Sequence, residues 1–503
     1  MRVARCLLVA AVFALPVALA ASCESLAALA LQDSKITLAE TVPAGEFTLP
    51  GATPAAMRLY QELPAFCRVA AALRPTSDSD IKIEVWLPAS GWNRKFQAVG
   101  NGGWAGSISY TAMGQALRRG YATASTDTGH TGGSASFALG HHEKLIDFGY
   151  RAVHEMTLKS KLVIAAFYGE AARLHYWNGC STGGRQALKE AQRYPADFDG
   201  IIAGAPANFR THLQIGQIWT AGATLKDPAS YIPPAKYPII HKAVLDACDS
   251  LDGVTDGVLE NPLRCRFDPA VIQCKGADTP SCLTAPQVEA ARKIYGGAVN
   301  PRTGARIWPG LMPGSELGWA QTAGGPEPIG LAMEYFRYVV FEDPNWNWKT
   351  FNFDTDTART ETLEYGMNAT DPNLREFAGH GGKLVMYHGW SDPLITPQNS
   401  IDYYRSVVDT MGGPAKTADF ARLFLAPGMG HCGGGEGPND FDAVAALDEW
   451  VEKSHAPGQI IARRAGGPHD RTRPLCPYPM TAVWKGSGST DSASSFVCAA
   501  ATP

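Results

Sequence analysis

No long run of lysine and arginine occurs in these 503 residues, no apolar stretch reaches the roughly 20 residues that span a bilayer, and no internal repeat recurs. With 44 Lys+Arg against 48 Asp+Glu, a formal net charge of -4, the electrostatic footprint of a nucleic-acid or anionic-membrane binder is missing. The lack of a repeat excludes a solenoid. Low-complexity sequence is confined to Gly486–Ser495, which reads as a surface loop. What remains is a core-forming composition, 45% hydrophobic and 18% charged, on a chain longer than one compact domain usually is. A core with a large insertion and a small-molecule partner is expected; the oligomeric state is not legible.

The N-terminus reads Met1-Arg2-Val3-Ala4-Arg5, then an apolar stretch over Leu7–Leu19, then Ala18-Leu19-Ala20. This is the charged, apolar and small-residue layout of a secretory signal, so residues 1–20 are expected to be removed and the protein to be secreted or periplasmic. Lipid attachment at Cys23 is the alternative, although Ala20-Ala21-Ser22 lacks the usual large aliphatic residue. Eleven cysteines are an odd number, but losing Cys6 with the leader leaves an even set suited to an oxidising compartment. The count alone leaves connectivity open. Spacing suggests Cys248 with Cys265, Cys274 with Cys282, Cys476 with Cys498, and Cys23 with Cys67.

Strand and helix signals alternate along the chain. Residues 82–87 alternate apolar and polar, and residues 95–99 form a second short strand ending in Gly100-Asn101-Gly102-Gly103. Tyr121–Ser125 follows and ends at Asp127-Thr128-Gly129-His130, before a helix over His154–Tyr168. Further strands are expected at Leu174–Trp177, Ile201–Ala203, Leu384–His388 and Leu423–Leu425. Such alternation specifies an α/β fold with a mostly parallel sheet covered by helices, built from residues 21–206 and 381–503. Residues 207–380 lose the alternation and read as an inserted lid.

The window His175-Tyr176-Trp177-Asn178-Gly179-Cys180-Ser181-Thr182-Gly183-Gly184-Arg185-Gln186 carries a G-x-S-x-G pattern between a strand and a good helix former. That context is what a nucleophile elbow requires, because the serine occupies a strained turn that tolerates only small neighbours. A serine hydroxyl needs a base within reach and an acid that orients the base. After the later strands come His388-Gly389-Trp390-Ser391-Asp392-Pro393 and Ala426-Pro427-Gly428-Met429-Gly430-His431-Cys432. Ser181 as nucleophile, Asp392 as acid and His431 as base give the chain order of an α/β-hydrolase. His130, His175, His212 and His388 compete as bases and Asp127 as acid. The backbone N–H of Thr182, with Gly102 or Gly103, is the expected oxyanion hole, a tight turn being the alternative for the glycines. Cys180 precedes the serine and Cys432 follows the histidine; a bond between them would clamp both loops, unless each pairs elsewhere.

Cys248-Asp249-Ser250-Leu251-Asp252-Gly253-Val254-Thr255-Asp256-Gly257-Val258 places three carboxylates among turn-forming glycines. Asp249, Asp252 and Asp256, with the carbonyls of Val254 and Val258, suit a structural calcium ion but not an EF-hand. A solvated acidic turn is the other reading.

Together these windows, with Ala191-Gln192-Arg193-Tyr194-Pro195 and Phe198-Asp199-Gly200-Ile201-Ile202-Ala203-Gly204-Ala205-Pro206, resemble the tannase and feruloyl esterase family over nearly the whole mature chain. The resemblance implies an α/β-hydrolase with a large lid, the triad Ser181–Asp392–His431, a Cys180–Cys432 disulfide, and calcium held by Asp249, Asp252, Val254, Asp256 and Val258. It also implies hydrolysis of aromatic-acid esters: feruloyl esters first, with galloyl esters or mono-hydroxyethyl terephthalate as alternatives. A non-catalytic binder of polyphenol or cell-wall material is the reading from another class, and the intact triad argues against it. The aromatic stretch Tyr335, Phe336, Tyr338, Phe341, Trp346, Trp348, Phe351 and Phe353 is expected to be mostly lid core, with its substrate contacts unknown.

Overall fold

A computed structural model describes residues 22–464 and 470–500; the expected leader, residues 1–20, lies outside them. The strands that build or interrupt the main sheet begin with β1 (Ser34–Val42), β2 (Phe66–Leu73), β3 (Ile81–Pro88), β4 (Lys95–Val99), β5 (Ala122–Thr126), β6 (Leu174–Cys180) and β7 (Gly200–Gly204). Two short strands of the insertion, β8 (Ala298–Val299) and β9 (Arg306–Trp308), precede β10 (Lys383–Gly389) and β11 (Ala421–Ala426). Nine of these form one sheet in the order β1-β2-β3-β5-β4-β6-β7-β10-β11. From β5 to β11 every neighbouring pair is parallel, whereas β1, β2, β3 and β5 pair antiparallel.

Period-two alternation sorts the strand residues between two helix layers. Trp177, Ile201, Ala203, Leu384, Met386 and Leu423 pack with the helices Ala152–Tyr168, Thr182–Arg193 and Pro397–Met411. Their sequence neighbours Tyr176, Ile202, Val385 and Phe424 face the helix Ala443–Lys453 on the other side. Both faces are therefore covered, which is why β4, β5 and β7 are buried throughout. β3, whose sequence alternates apolar and polar residues, is also almost wholly buried, for the same reason.

The chain leaves the sheet after β7 and re-enters at β10, its immediate parallel neighbour, with Lys383 opposite Gly200 and Tyr387 opposite Gly204. The intervening segment is more regular than its sequence suggests. It contains the helices Arg210–Leu225, Tyr237–Cys248 and Ala285–Gly296. It builds one core around Tyr335, Phe336, Trp346, Trp348 and Phe351, with Tyr338, Phe341 and Phe353 packed against it, and a second around Tyr237, Ile240, Ile294 and Trp319. Disulfides join Cys23 to Cys67, Cys248 to Cys265, Cys274 to Cys282 and Cys476 to Cys498. Among the described residues no helix is long and apolar enough to cross a membrane.

Candidate active site

Ser181 stands between the end of β6 and the helix Thr182–Arg193 with φ 63° and ψ -119°, a conformation that L-residues rarely adopt. The surrounding chain over-determines this turn. The N–H of Ser181 donates to Gly204 O at 2.9 Å, and its carbonyl accepts from Arg185 N and Ala207 N, each at 3.0 Å. A Cβ at Gly179 would lie 2.6 Å from the Gly183 carbonyl, and one at Gly184 would lie 2.2 Å from Gly204 O, so backbone fills the space where side chains would stand. The Ser181 side chain makes no capping bond to the helix that follows. Arg185, fully buried, fixes the base of the turn by donating to Gly149 O and Phe148 O at 2.6 and 2.9 Å.

Asp392 and His431 lie on the loops after β10 and β11. Trp390 N donates to Ala426 O and Ser391 N to Met429 O, both at 2.9 Å, which stitches these two loops together. His431 Nδ1 lies 2.7 Å from Asp392 Oδ2. Asp392 is completely buried, and its other oxygen accepts from Leu394 N at 2.8 Å and Ile395 N at 3.0 Å. Burial would raise its carboxyl, but the His431 charge and the bonds from His388 and His431 outweigh that and hold it well below the usual carboxylate range. Burial likewise opposes charge on His431, yet Asp392 raises the imidazole above its ordinary value. Cys180 and Cys432 are bonded, with their Cα atoms 6.0 Å apart.

The glycine loop after β4 is tied to the serine turn from both sides: Gly183 N donates to Asn101 O at 2.8 Å and Thr182 Oγ1 to Gly103 O at 2.9 Å. Among the described residues the N–H groups of Thr182, Gly102 and Gly103 have no protein acceptor.

The competing residues have other partners. His130 is buried, stacks on Phe137 and contacts Trp104 O at 2.8 Å. His175 pairs with Asp199, and His212 with Ile307 O and Glu361. Asp127 accepts from the backbone of Lys82 and Gly129, and burial pushes its carboxyl up to about 6. His388 is the exception. Its Nε2 lies 3.1 Å from Asp392 Oδ2 and 2.8 Å from Ile395 O, and its Nδ1 lies 2.8 Å from Ser400 Oγ, so it buttresses the acid from behind. Its position at the end of a strand, four residues before the acid, is the only sequence signal for that role.

In the aspartate loop, Asp249 accepts from Gly257 N at 2.9 Å, Asp252 from Val254 N at 2.9 Å and Asp256 from Val258 N at 3.2 Å. Burial, then the charges of Asp256 and Asp249, push Asp252 up to about 6. Asp256 also pairs with Arg473. Among the described residues, donor atoms of three His, Cys, Asp or Glu residues lie within 4.8 Å of one another at His154, Glu190 and Asp197 and at Cys274, Asp278 and Cys282, and Asp249, Asp252 and Asp256 do not form such a group. The two cysteines of the second group are disulfide-bonded. Although remote in sequence, Gly257 and Val258 border the same cavity of about 300 Å3 as His431 and Ser391.

A family model described as tannase and feruloyl esterase matches residues 67–499. An uncharacterized esterase of Xanthomonas campestris pv. campestris is 41% identical, covering 95% of this chain and 91% of its own length. A probable feruloyl esterase B-2 of Aspergillus terreus is 35% identical over 95% of both chains. The crystal structure of feruloyl esterase B from Aspergillus oryzae superposes with a TM-score of 0.88 at 30% identity, covering 95% of this chain and 99% of that one. Sheet, loops and relatives agree: the chain is a carboxylic ester hydrolase and belongs to the tannase and feruloyl esterase family.

Proposed function

We infer that this is an exported serine esterase that cleaves esters of aromatic acids, feruloyl-type esters foremost, through an acyl-enzyme on Ser181. The observation that carries the reading is the pair of buried Asp392 and partly exposed His431, at 2.7 Å, bonded covalently to the serine turn through Cys432 and Cys180. Ser181 Oγ attacks the ester carbonyl and His431 Nε2 takes its proton, while Asp392 fixes the tautomer and stabilises the imidazolium. The unpaired N–H groups of Thr182 and of Gly102 or Gly103 receive the oxyanion. His431 returns the proton to the departing alcohol, and water then attacks the acyl-enzyme by the same route in reverse. The names of the fungal relatives support a feruloyl ester over a galloyl one.

Residues 207–380 act as the lid over the strand ends and supply the aromatic-acid pocket. The aspartate loop suits a calcium ion in the chemistry of its donors: three carboxylates and backbone carbonyls on a glycine-turned loop. Asp249, Asp252 and Asp256 and the carbonyls of Val254 and Val258 would hold it, and the ion would cross-link the loop. Export rests on the leader-like N-terminus and suits five disulfides.

The test is turnover of methyl ferulate, methyl gallate, mono-hydroxyethyl terephthalate and p-nitrophenyl acetate by the purified protein and by Ser181→Ala. Ferulate turnover that vanishes in the variant is expected. Preference for gallate or terephthalate moves the assignment within the family, and turnover that survives the substitution overturns it.

A further inference from the structure

The cavity beside His431 has a chemistry of its own. Ser391 and Gly430 reach it from the two catalytic loops, and His241, Glu436, Gly257 and Val258 complete the wall. Neither Ser181 and Thr182 nor Gly102, Gly103 and Trp104 border it. In ester cleavage the base protonates the departing alkoxide while the carbonyl oxygen sits at the oxyanion donors. A space bordered by the base, and by neither the nucleophile turn nor the glycine loop, is the candidate position for the alcohol half of the ester.

The polar side of this space is a chain of three charges. Glu316 is fully buried and accepts from Tyr295 Oη and Gly314 N, each at 2.8 Å. His241 Nδ1 lies 2.8 Å from Glu316 Oε2, and its Nε2 lies 2.8 Å from Glu436 Oε2. Burial works against charge on His241, but the two carboxylates prevail and hold it at about 9, so it is a cation at neutral pH. The Nε2–Glu436 contact is close without being an aligned hydrogen bond. The Glu436 side chain is 46% exposed, which leaves its oxygens able to accept from a ligand. One cation between two anions gives this wall a net charge of about -1. Leu245, Leu259, Leu317 and Pro393 supply the apolar remainder, and among the described residues no Phe, Tyr or Trp lines the space. Nothing there stacks on an aryl group, whereas a carboxylate facing a half-open cavity accepts readily from adjacent hydroxyls.

We propose that this cavity is the leaving-alcohol subsite, and that Glu436, braced by His241 and Glu316, selects a small hydroxyl-rich alcohol, neutral or cationic, over an anionic one. The proposal rests on the esterase reading above. It assigns to Glu436 a contact with the alcohol and to His241 the positioning of Glu436.

The test uses esters of one aromatic acid that differ only in the alcohol: methyl, 2,3-dihydroxypropyl, 3-amino-2-hydroxypropyl, and a glycerate ester bearing a carboxylate. The wild type is expected to prefer the dihydroxypropyl and amino esters over the glycerate ester by about tenfold in kcat/KM, the size of one hydrogen bond to a charged group, expressed in KM. Glu436→Gln compresses that ratio toward one. A ratio that Glu436→Gln leaves unchanged, or a wild type that does not discriminate, overturns the subsite. Competitive inhibition by the free alcohols needs no variant: glycerate inhibiting as well as glycerol or 3-amino-1,2-propanediol overturns it too. Turnover that persists in Ser181→Ala removes the esterase reading itself, so the two failures are told apart.

Discussion

Cys180 and Cys432 are 252 residues apart in sequence and 6.0 Å apart at their Cα atoms, one immediately before Ser181 and the other immediately after His431. Cys432 itself has φ 60°, so both ends of the clamp adjoin strained backbone. The bond holds two loops from different strands of the sheet in one register, the pre-organisation on which a near-attack geometry depends.

Replacing both cysteines with serine is expected to lower kcat/KM on an aromatic methyl ester by roughly tenfold or more, because the base is no longer held to the nucleophile turn. Stability falls as well; closing so long a loop is worth about 5 kcal/mol in the chain-entropy model. Removing the Cys476–Cys498 bond by the same substitution is the control, and equal kinetic losses in the two variants would show that the clamp has no special role.

Much of this was legible in the sequence, for a definite reason. Backbone contact with backbone leaves room only for glycine at positions 179 and 184, so the elbow is written in residue type. The core strands announced themselves by continuous small and branched residues. β1, which extends the sheet antiparallel, did not, because Ser34–Val42 is an edge strand in which only Ile36 and Val42 are buried and no clean alternation survives. The helix Arg210–Leu225 was hidden by its polar residues. Arg210, Gln214 and Gln217 are buried, and a pattern reader takes such residues as solvent-facing. The His241–Glu316–Glu436 chain joins three segments far apart in sequence, and nothing local signals it.

The pH–rate profile should report the base. His431 must be neutral to accept the serine proton, and Asp392 raises its pKa, so the acid limb of kcat/KM should lie above the unperturbed histidine value of 6.5. Asp392→Asn moves that limb down and costs about 10^4 in kcat, since the tautomer is no longer fixed. An acid limb that does not move in the variant would assign the titration to another group.

Thr182→Val removes the 2.9 Å bond to Gly103 O that joins the two halves of the oxyanion hole. The expected loss is about tenfold in kcat with little change in KM, because the oxyanion exists only in the transition state. A loss carried by KM alone would place Thr182 in ground-state binding instead.

His241 predicts a pH-dependent stability. Its folded pKa, about 9, lies above the unfolded value of 6.5, so its contribution is complete below 6.5 and is lost as pH rises through 9. Thermal melts should therefore show Tm falling between pH 6.5 and 9, and less steeply in Glu436→Gln, which removes one of the two carboxylates that raise it. Parallel curves would mean that Glu436 does not act on the imidazole.

Chelation should act on stability first and on the alcohol side of the reaction second. Asp249, Asp252 and Asp256 put three carboxylates on one loop, and the two arginines that face it, Arg471 and Arg473, both pair with Asp256. A divalent cation binding the folded loop and not the unfolded chain raises Tm by mass action, so exhaustive treatment with a chelator is expected to lower Tm and calcium, rather than magnesium, to restore it. Because Gly257 and Val258 border the cavity beside His431, the stripped protein assayed below its new Tm should lose more on a dihydroxypropyl ester than on the methyl ester of the same acid. A chelator-insensitive Tm, with no ion retained in native mass spectra, would leave the loop an acidic turn held by Arg473 and its own backbone bonds.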